Sequence, residues 1–154
     1  MHTLDEVIAS SPVFAGMAHD DLSLIAGCAQ NVGFEEGQLL FREGQPADRF
    51  YLVRKGRVAL EVHTPDRGGL VVDSADPGEV VGWSWLFAPY RWHFDARAAE
   101  DLRAIAFDGE CLRGKCDEDP RLGYELMQRF AQVMIERLEN TQLRLLDVYG
   151  VFAD

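Results

Sequence analysis

FREGQPADRFYLVRKGRVALEV, residues 41–62, decides the fold. Residues 50–55 and 57–63 are two runs rich in aromatic and β-branched side chains, separated by the turn Arg54-Lys55-Gly56-Arg57. Gly56 supplies the positive φ that a tight hairpin needs at little steric cost, so the two runs read as paired antiparallel strands. The same punctuation recurs at Gly37, Gly44, Gly68, Gly69, Gly78 and Gly82. Short apolar runs lie between these glycines, which is the pattern of a compact antiparallel barrel.

Working outward, strands are predicted at 32–34, 39–41, 50–55, 57–63, 70–74, 80–82, 94–98 and 102–107. That many short strands suit a double-stranded β-helix, the jelly-roll or β-roll barrel, whose closure removes exposed sheet edges. Residues 64–69 form the longest exposed connection and carry no evident chemistry. Upstream, Thr3 to Ala29 reads as helical: Thr3 caps a turn containing Asp5 and Glu6, residues 10–12 interrupt it, and Leu22, Ile25, Ala26 and Ala29 keep helical spacing.

Downstream, Pro120 opens a helix predicted over 121–148, with Asp117, Glu118 and Asp119 at its positive end. Leu122, Leu126, Phe130, Val133, Leu138, Thr141 and Leu145 form one stripe, widened by Met127, Met134 and Ile135. Such a helix is roughly 42 Å long and outruns a small barrel. Its distal apolar residues (Leu138, Leu143, Leu145, Leu146 and Val148) therefore predict a parallel homodimer through 121–148. The fold expected is mainly β with flanking helices, in a single domain over 1–154. Its parts are an N-terminal helical part (1–30), a β-roll (31–110) and C-terminal helices (111–154) that include the long dimerisation helix.

The chain has 154 residues and a formal charge of −11, from 15 Lys and Arg against 26 Asp and Glu. That field repels nucleic-acid phosphates and disfavours direct DNA contact. No run of about 20 apolar residues predicts a membrane span, and the acidic N-terminus is unlike an export signal, so a cytoplasmic protein is expected. Reduced thiols are then the default for Cys28, Cys111 and Cys116, and their spacing does not complete a metal site. No nucleophile elbow, zinc-protease or P-loop motif occurs, so no enzyme is expected.

The stretch FEEGQLLFREGQPADRFYLVRKGRVAL, the Pro12-Val13-Phe14 step and the Glu136-Arg137-Leu138 step followed by Thr141 resemble the cyclic nucleotide-binding domain family, the sensory half of the catabolite activator type of regulator. The resemblance covers nearly the whole chain. It implies a regulatory, signal-transducing module for cAMP, cGMP or another small effector, acting on a regulated partner protein. It implies that Arg137 supports the ligand site and that Thr141 faces the purine. The family's helix-turn-helix reader would follow residue 148, where only a few residues remain.

The phosphate-binding turn departs from the family. Gly82 matches its glycine, but Trp83 stands in place of the glutamate that holds the ribose. The arginine that neutralises the cyclic phosphate falls on His93, with Phe94 beside it, or on Trp92, with His93 beside it, depending on whether one counts from Gly82 or from Arg97-Ala98. A buried phosphate needs donors and a fixed positive charge. Arg91 is the nearest arginine. Candidate pocket residues are therefore Gly82, Trp83, Ser84, Arg91, Trp92, His93, Phe94, Arg97, Arg137 and Thr141. Three readings stay open: a pocket filled by its own aromatic rings or altered for another effector, a genuine cAMP or cGMP sensor using Arg91, and an interaction scaffold with no small ligand. His93 as a haem ligand would need a second ligand that the sequence does not offer.

Overall fold

In the computed structural model, which describes residues 3–66, 68–148 and 150, Thr3 closes a capping box. Its hydroxyl accepts the Glu6 N–H at 3.4 Å, and the Glu6 carboxylate accepts the Thr3 N–H at 3.3 Å. The capped helix α1 (Leu4–Ala9) ends at Ser10, and helix α2 spans His19–Ala26. The helical region predicted from Thr3 to Ala29 is thus shorter: Ala29 opens strand β1 (Ala29–Phe34). Long-range pairing decides this boundary, since Ala29 lies opposite Phe107 in an antiparallel ladder that no local periodicity reports.

Seven further strands follow: β2 (Leu39–Phe41), β3 (Arg49–Lys55), β4 (Val58–Thr64), β5 (Gly68–Ala75), β6 (Val80–Val81), β7 (Asp95–Ala98) and β8 (Leu102–Asp108). They form two four-stranded antiparallel sheets, β1-β8-β3-β6 and β2-β7-β4-β5. This is the expected mainly-β roll with flanking helices, and each predicted strand is present within a few residues. Gly56 turns β3 into β4 at φ 92°, and a Cβ there would lie 2.5 Å from the Asp101 carbonyl oxygen, so glycine is required twice over.

Two apolar clusters hold the fold. Inside the roll, Phe41, Tyr51, Val53, Val58, Leu60, Val81, Trp92, Ala96 and Ala104 pack between the sheets. On the outer face of the first sheet, Phe50, Leu52, Ile105 and Phe107 meet Phe14, Leu22 and Ile25 and the C-terminal helices. The period-2 alternation of β3 and β8 feeds both clusters from the same strands.

The C-terminal region starts earlier than residue 111. Asp108 accepts the Cys111 N–H at 3.0 Å and caps α3 (Gly109–Glu118); α4 (Pro120–Val148) follows. Leu122, Leu126 and Phe130 are buried against the roll, whereas Leu138, Leu143 and Leu145 are more than half exposed. The stripe therefore divides as its length requires: its first half packs on the chain's own core and its second half does not.

The cysteines depart from the expected reduced thiols. Cys28 and Cys111 form a disulfide with a Cα–Cα distance of 5.8 Å, leaving Cys116 as the free thiol. Cys28 immediately precedes β1 and Cys111 closely follows β8. The β1–β8 register brings them together across 83 residues of sequence.

Candidate functional site

Strand β6 delivers Val80 and Val81 to the mouth of the roll and stops at Gly82, which has φ 99°. The following segment, residues 83–94, contains a short 3₁₀ turn (Ser84–Leu86) and is fastened to residues 44–47. The Gly44 N–H donates to the Trp92 carbonyl at 2.8 Å, the Ala47 N–H to the Tyr90 carbonyl at 2.7 Å, and the Trp92 N–H to the Gln45 carbonyl at 3.1 Å. These bonds drive the Trp92 side chain inward.

Trp92 is 3% exposed. Its ring stacks on Phe41 with centroids 3.7 Å apart and planes 9° from parallel, and Phe94 meets Phe41 at 5.8 Å. The far edge of the indole abuts Gly82, where a Cβ would sit 2.6 Å from its nearest ring carbon. The backbone of the turn and an aromatic ring are therefore in direct contact, and only glycine permits it.

The other two tryptophans go elsewhere. Ser84 is buried, and it leads Trp85 out of the roll into the helix-side cluster. There Trp85 stacks on Phe50 at 4.9 Å and meets Phe130 edge-on at 5.4 Å. Trp83 stays half-buried at the mouth, with the Arg137 guanidinium 5.9 Å from its ring centroid.

Arg137 reaches back from α4 to the roll. It donates to Asp73 Oδ2 at 2.8 Å and to the Val80 carbonyl at 2.9 Å. Arg144, two turns later, donates to Asp73 Oδ1 at 3.0 Å and to the Val72 carbonyl. Burial pushes the Asp73 carboxyl up, but the bonds from Arg144, from the Ser74 N–H and from Arg137 outweigh it and hold the group below the usual carboxylate range. The Arg137 charge is thereby matched by a carboxylate inside the site.

The candidate residues divide into groups. Gly82 and Trp92 meet inside the roll, where Phe94 packs on the same Phe41 ring, and Trp83 and Arg137 meet at its mouth. Arg91 is exposed and donates to the Gly44 carbonyl at 3.1 Å; His93 is also exposed. Arg97 lies on the outer face of β7, opposite inward-facing Ala96 and Ala98, where it pairs with Glu61 at 3.3 Å and donates to the Gly37 carbonyl at 2.7 Å. Thr141 is exposed and donates to the carbonyl of Arg137 at 2.9 Å on its own helix.

Asp73 was absent from the sequence candidates. Its signal was an acid ending the apolar run Leu70-Val71-Val72 on a strand. Phe41 was legible as a strand residue, not as the platform for Trp92. Among the described residues, no cluster of His, Cys, Asp and Glu could hold a metal ion, and no helix is long and apolar enough to cross a membrane.

Comparison with known proteins fits this architecture. The family model described as the cyclic nucleotide-binding domain matches residues 31–119. A Mycobacterium tuberculosis protein named CRP-like cAMP-activated global transcriptional regulator is 26% identical over 151 residues, covering 98% of this chain and 65% of its own length. The chain thus spans just under two thirds of that relative. Among solved structures, a putative cyclic nucleotide-binding protein from Geobacter metallireducens superposes with a TM-score of 0.79 at 28% identity, covering 90% of this chain and 99% of its own. The Thermus thermophilus catabolite activator protein gives a TM-score of 0.70 at 25% identity over 91% of this chain and 63% of its own. The segment that binds its own rings at Gly82 lies within the matched span, and the chain belongs to the cyclic nucleotide-binding domain family.

Proposed function

We propose that this chain is a regulatory module, not an enzyme, in which Trp92 occupies the cavity that the family uses for its ligand. The observation that carries this is the indole stacked on Phe41 with its edge against the Gly82 backbone. A cyclic phosphate at that turn would have to displace the ring. It would find Arg137 already bound to Asp73 and Arg91 turned outward onto Gly44. Losing a charge-assisted pair in a buried site costs about 2 to 5 kcal/mol, or roughly 30-fold to several thousand-fold in affinity. The module is proposed to act in the cytoplasm as a parallel homodimer through α4, signalling to a partner protein without touching nucleic acid itself.

A second reading is favoured by the cAMP named for the M. tuberculosis relative. There, cAMP or cGMP swings Trp92 out and draws Arg91, two residues from Phe94's neighbour His93, onto the phosphate. Thermal unfolding with 1 mM of each nucleotide separates the two. A micromolar ligand at that concentration stabilises by about 4 kcal/mol, which is roughly 8 to 16 °C for a domain of this size. The filled-cavity reading expects no shift beyond about one degree.

A further inference from the structure

Helix α3 joins two features that the ligand reading leaves unused. At one end, Cys111 is bonded to Cys28, and both cysteines line a surface groove of about 260 Å³ together with Gln30, Arg49 and Asp108. Along its length, Arg113 donates to the Trp85 carbonyl at 2.6 Å and lies 4.2 Å from the Tyr90 ring centroid. Gly109 donates to the Asp48 carbonyl at 2.8 Å, and a Cβ there would meet the Trp85 Cβ at 3.0 Å. The disulfide therefore fixes the helix that grips residues 85–90 of the segment leading to Trp92.

We propose that Cys28–Cys111 is a reversible thiol–disulfide modification site, reduced by a dithiol, whose oxidised form clamps α3 and, through Arg113, holds residues 84–92 in place. One thiolate of the dithiol attacks the Cys111 Sγ, the less buried of the pair; the protein S–S bond breaks and Cys28 leaves as a thiolate that takes a proton. The second thiol of the reductant, as a thiolate, then attacks its own sulfur in the mixed disulfide and releases Cys111. The protein gains two electrons and two protons, and the dithiol ends as a disulfide.

Cys111 lies in the first turn of α3, where the positive end of the helix dipole favours a departing thiolate, although the Gly109 and Cys111 N–H groups already donate to the Asp48 carbonyl and to Asp108. Arg49 across the groove adds positive charge, while Asp108 and Glu110 offset part of it. Cys116 does not compete. Burial, with Asp117 and Asp119 nearby, pushes its thiol up, so it stays protonated. The exchange chemistry does not depend on what the roll binds, and the link to residues 84–92 is read without any ligand.

The test uses the full chain. Alkylation under denaturing conditions followed by intact mass should find one free thiol, Cys116, in protein isolated without reductant and three after dithiothreitol. On reduction, amide hydrogen exchange in 84–92 and 109–118 should quicken about tenfold or more and return on reoxidation with oxidised glutathione. Arg113→Met in the oxidised protein should quicken 84–92 alike with the cross-link intact. Three free thiols that oxidised glutathione does not pair would overturn the site. Unchanged exchange after reduction, or in the Arg113 variant, would overturn the clamp.

Discussion

Trp92 and Phe41 lie face to face, 3.7 Å between centroids and 9° from parallel, inside a roll whose relatives include proteins named for cAMP. The contact joins the segment after β6 to strand β2, and it places a ring where Gly82 turns the chain. Aromatic pairs of this kind contribute about 0.5 to 1.5 kcal/mol beyond the area they bury.

Trp92→Ala should therefore destabilise the protein by about 3 to 5 kcal/mol, the usual cost of emptying a large core site. It should also leave a cavity shaped for a flat ring. Millimolar indole added to the variant should raise its unfolding temperature, and should not do so for the unmutated protein. Calorimetry or denaturant melts check both outcomes.

Asp73 carries a pH dependence whose sign follows from its lowered value. A depressed carboxyl contributes stability that is fully present above its ordinary value near 3.8 and is lost as pH falls through the folded-state value. The distal half of α4, tied to β5 by Arg137 and Arg144, should loosen in that acid window. Asp73→Asn should produce the same loosening at neutral pH. Amide exchange in residues 137–148 reads both.

The sheets were legible because glycine punctuation and strand periodicity are local signals, and all eight strands follow from them. What escaped depends on pairing across the fold. The β1–β8 register sets where the leading helical region stops and brings Cys28 to Cys111; neither is visible at a separation of 83 residues. Among the site residues, the sequence identified the aromatic run but not which ring enters the roll. Three tryptophans within ten residues go to the mouth, the helix-side core and the interior; bonds to residues 44–47 fix Trp92, and Arg113 holds the Trp85 carbonyl against α3. Arg97 was open to correction from sequence alone, since strict alternation with Ala96 and Ala98 already placed it on the outer face.

The exposed leucines of α4 should make the chain a dimer at micromolar concentration. Light scattering should give twice 17.3 kDa for the unmutated protein. A variant with Leu138→Glu and Leu145→Glu places like charges across the seam at a cost of several kcal/mol. It should give the monomer mass without losing the β-sheet signal in circular dichroism.

A net charge of −11 should leave this chain without specific affinity for DNA. A fluorescently labelled promoter duplex should show no anisotropy change with the pure protein in about 100 mM salt. Salt-sensitive, sequence-selective binding would contradict the expectation.

Isothermal titration of the unmutated protein with cAMP, and separately with cGMP, tests most directly whether Trp92 has replaced the ligand. The filled roll expects no saturable heat up to millimolar nucleotide, and no difference between the unmutated protein and Arg91→Ala. A dissociation constant in the micromolar range or tighter, abolished by Arg91→Ala, would show that the ring yields and that the phosphate recruits Arg91, and would contradict the account.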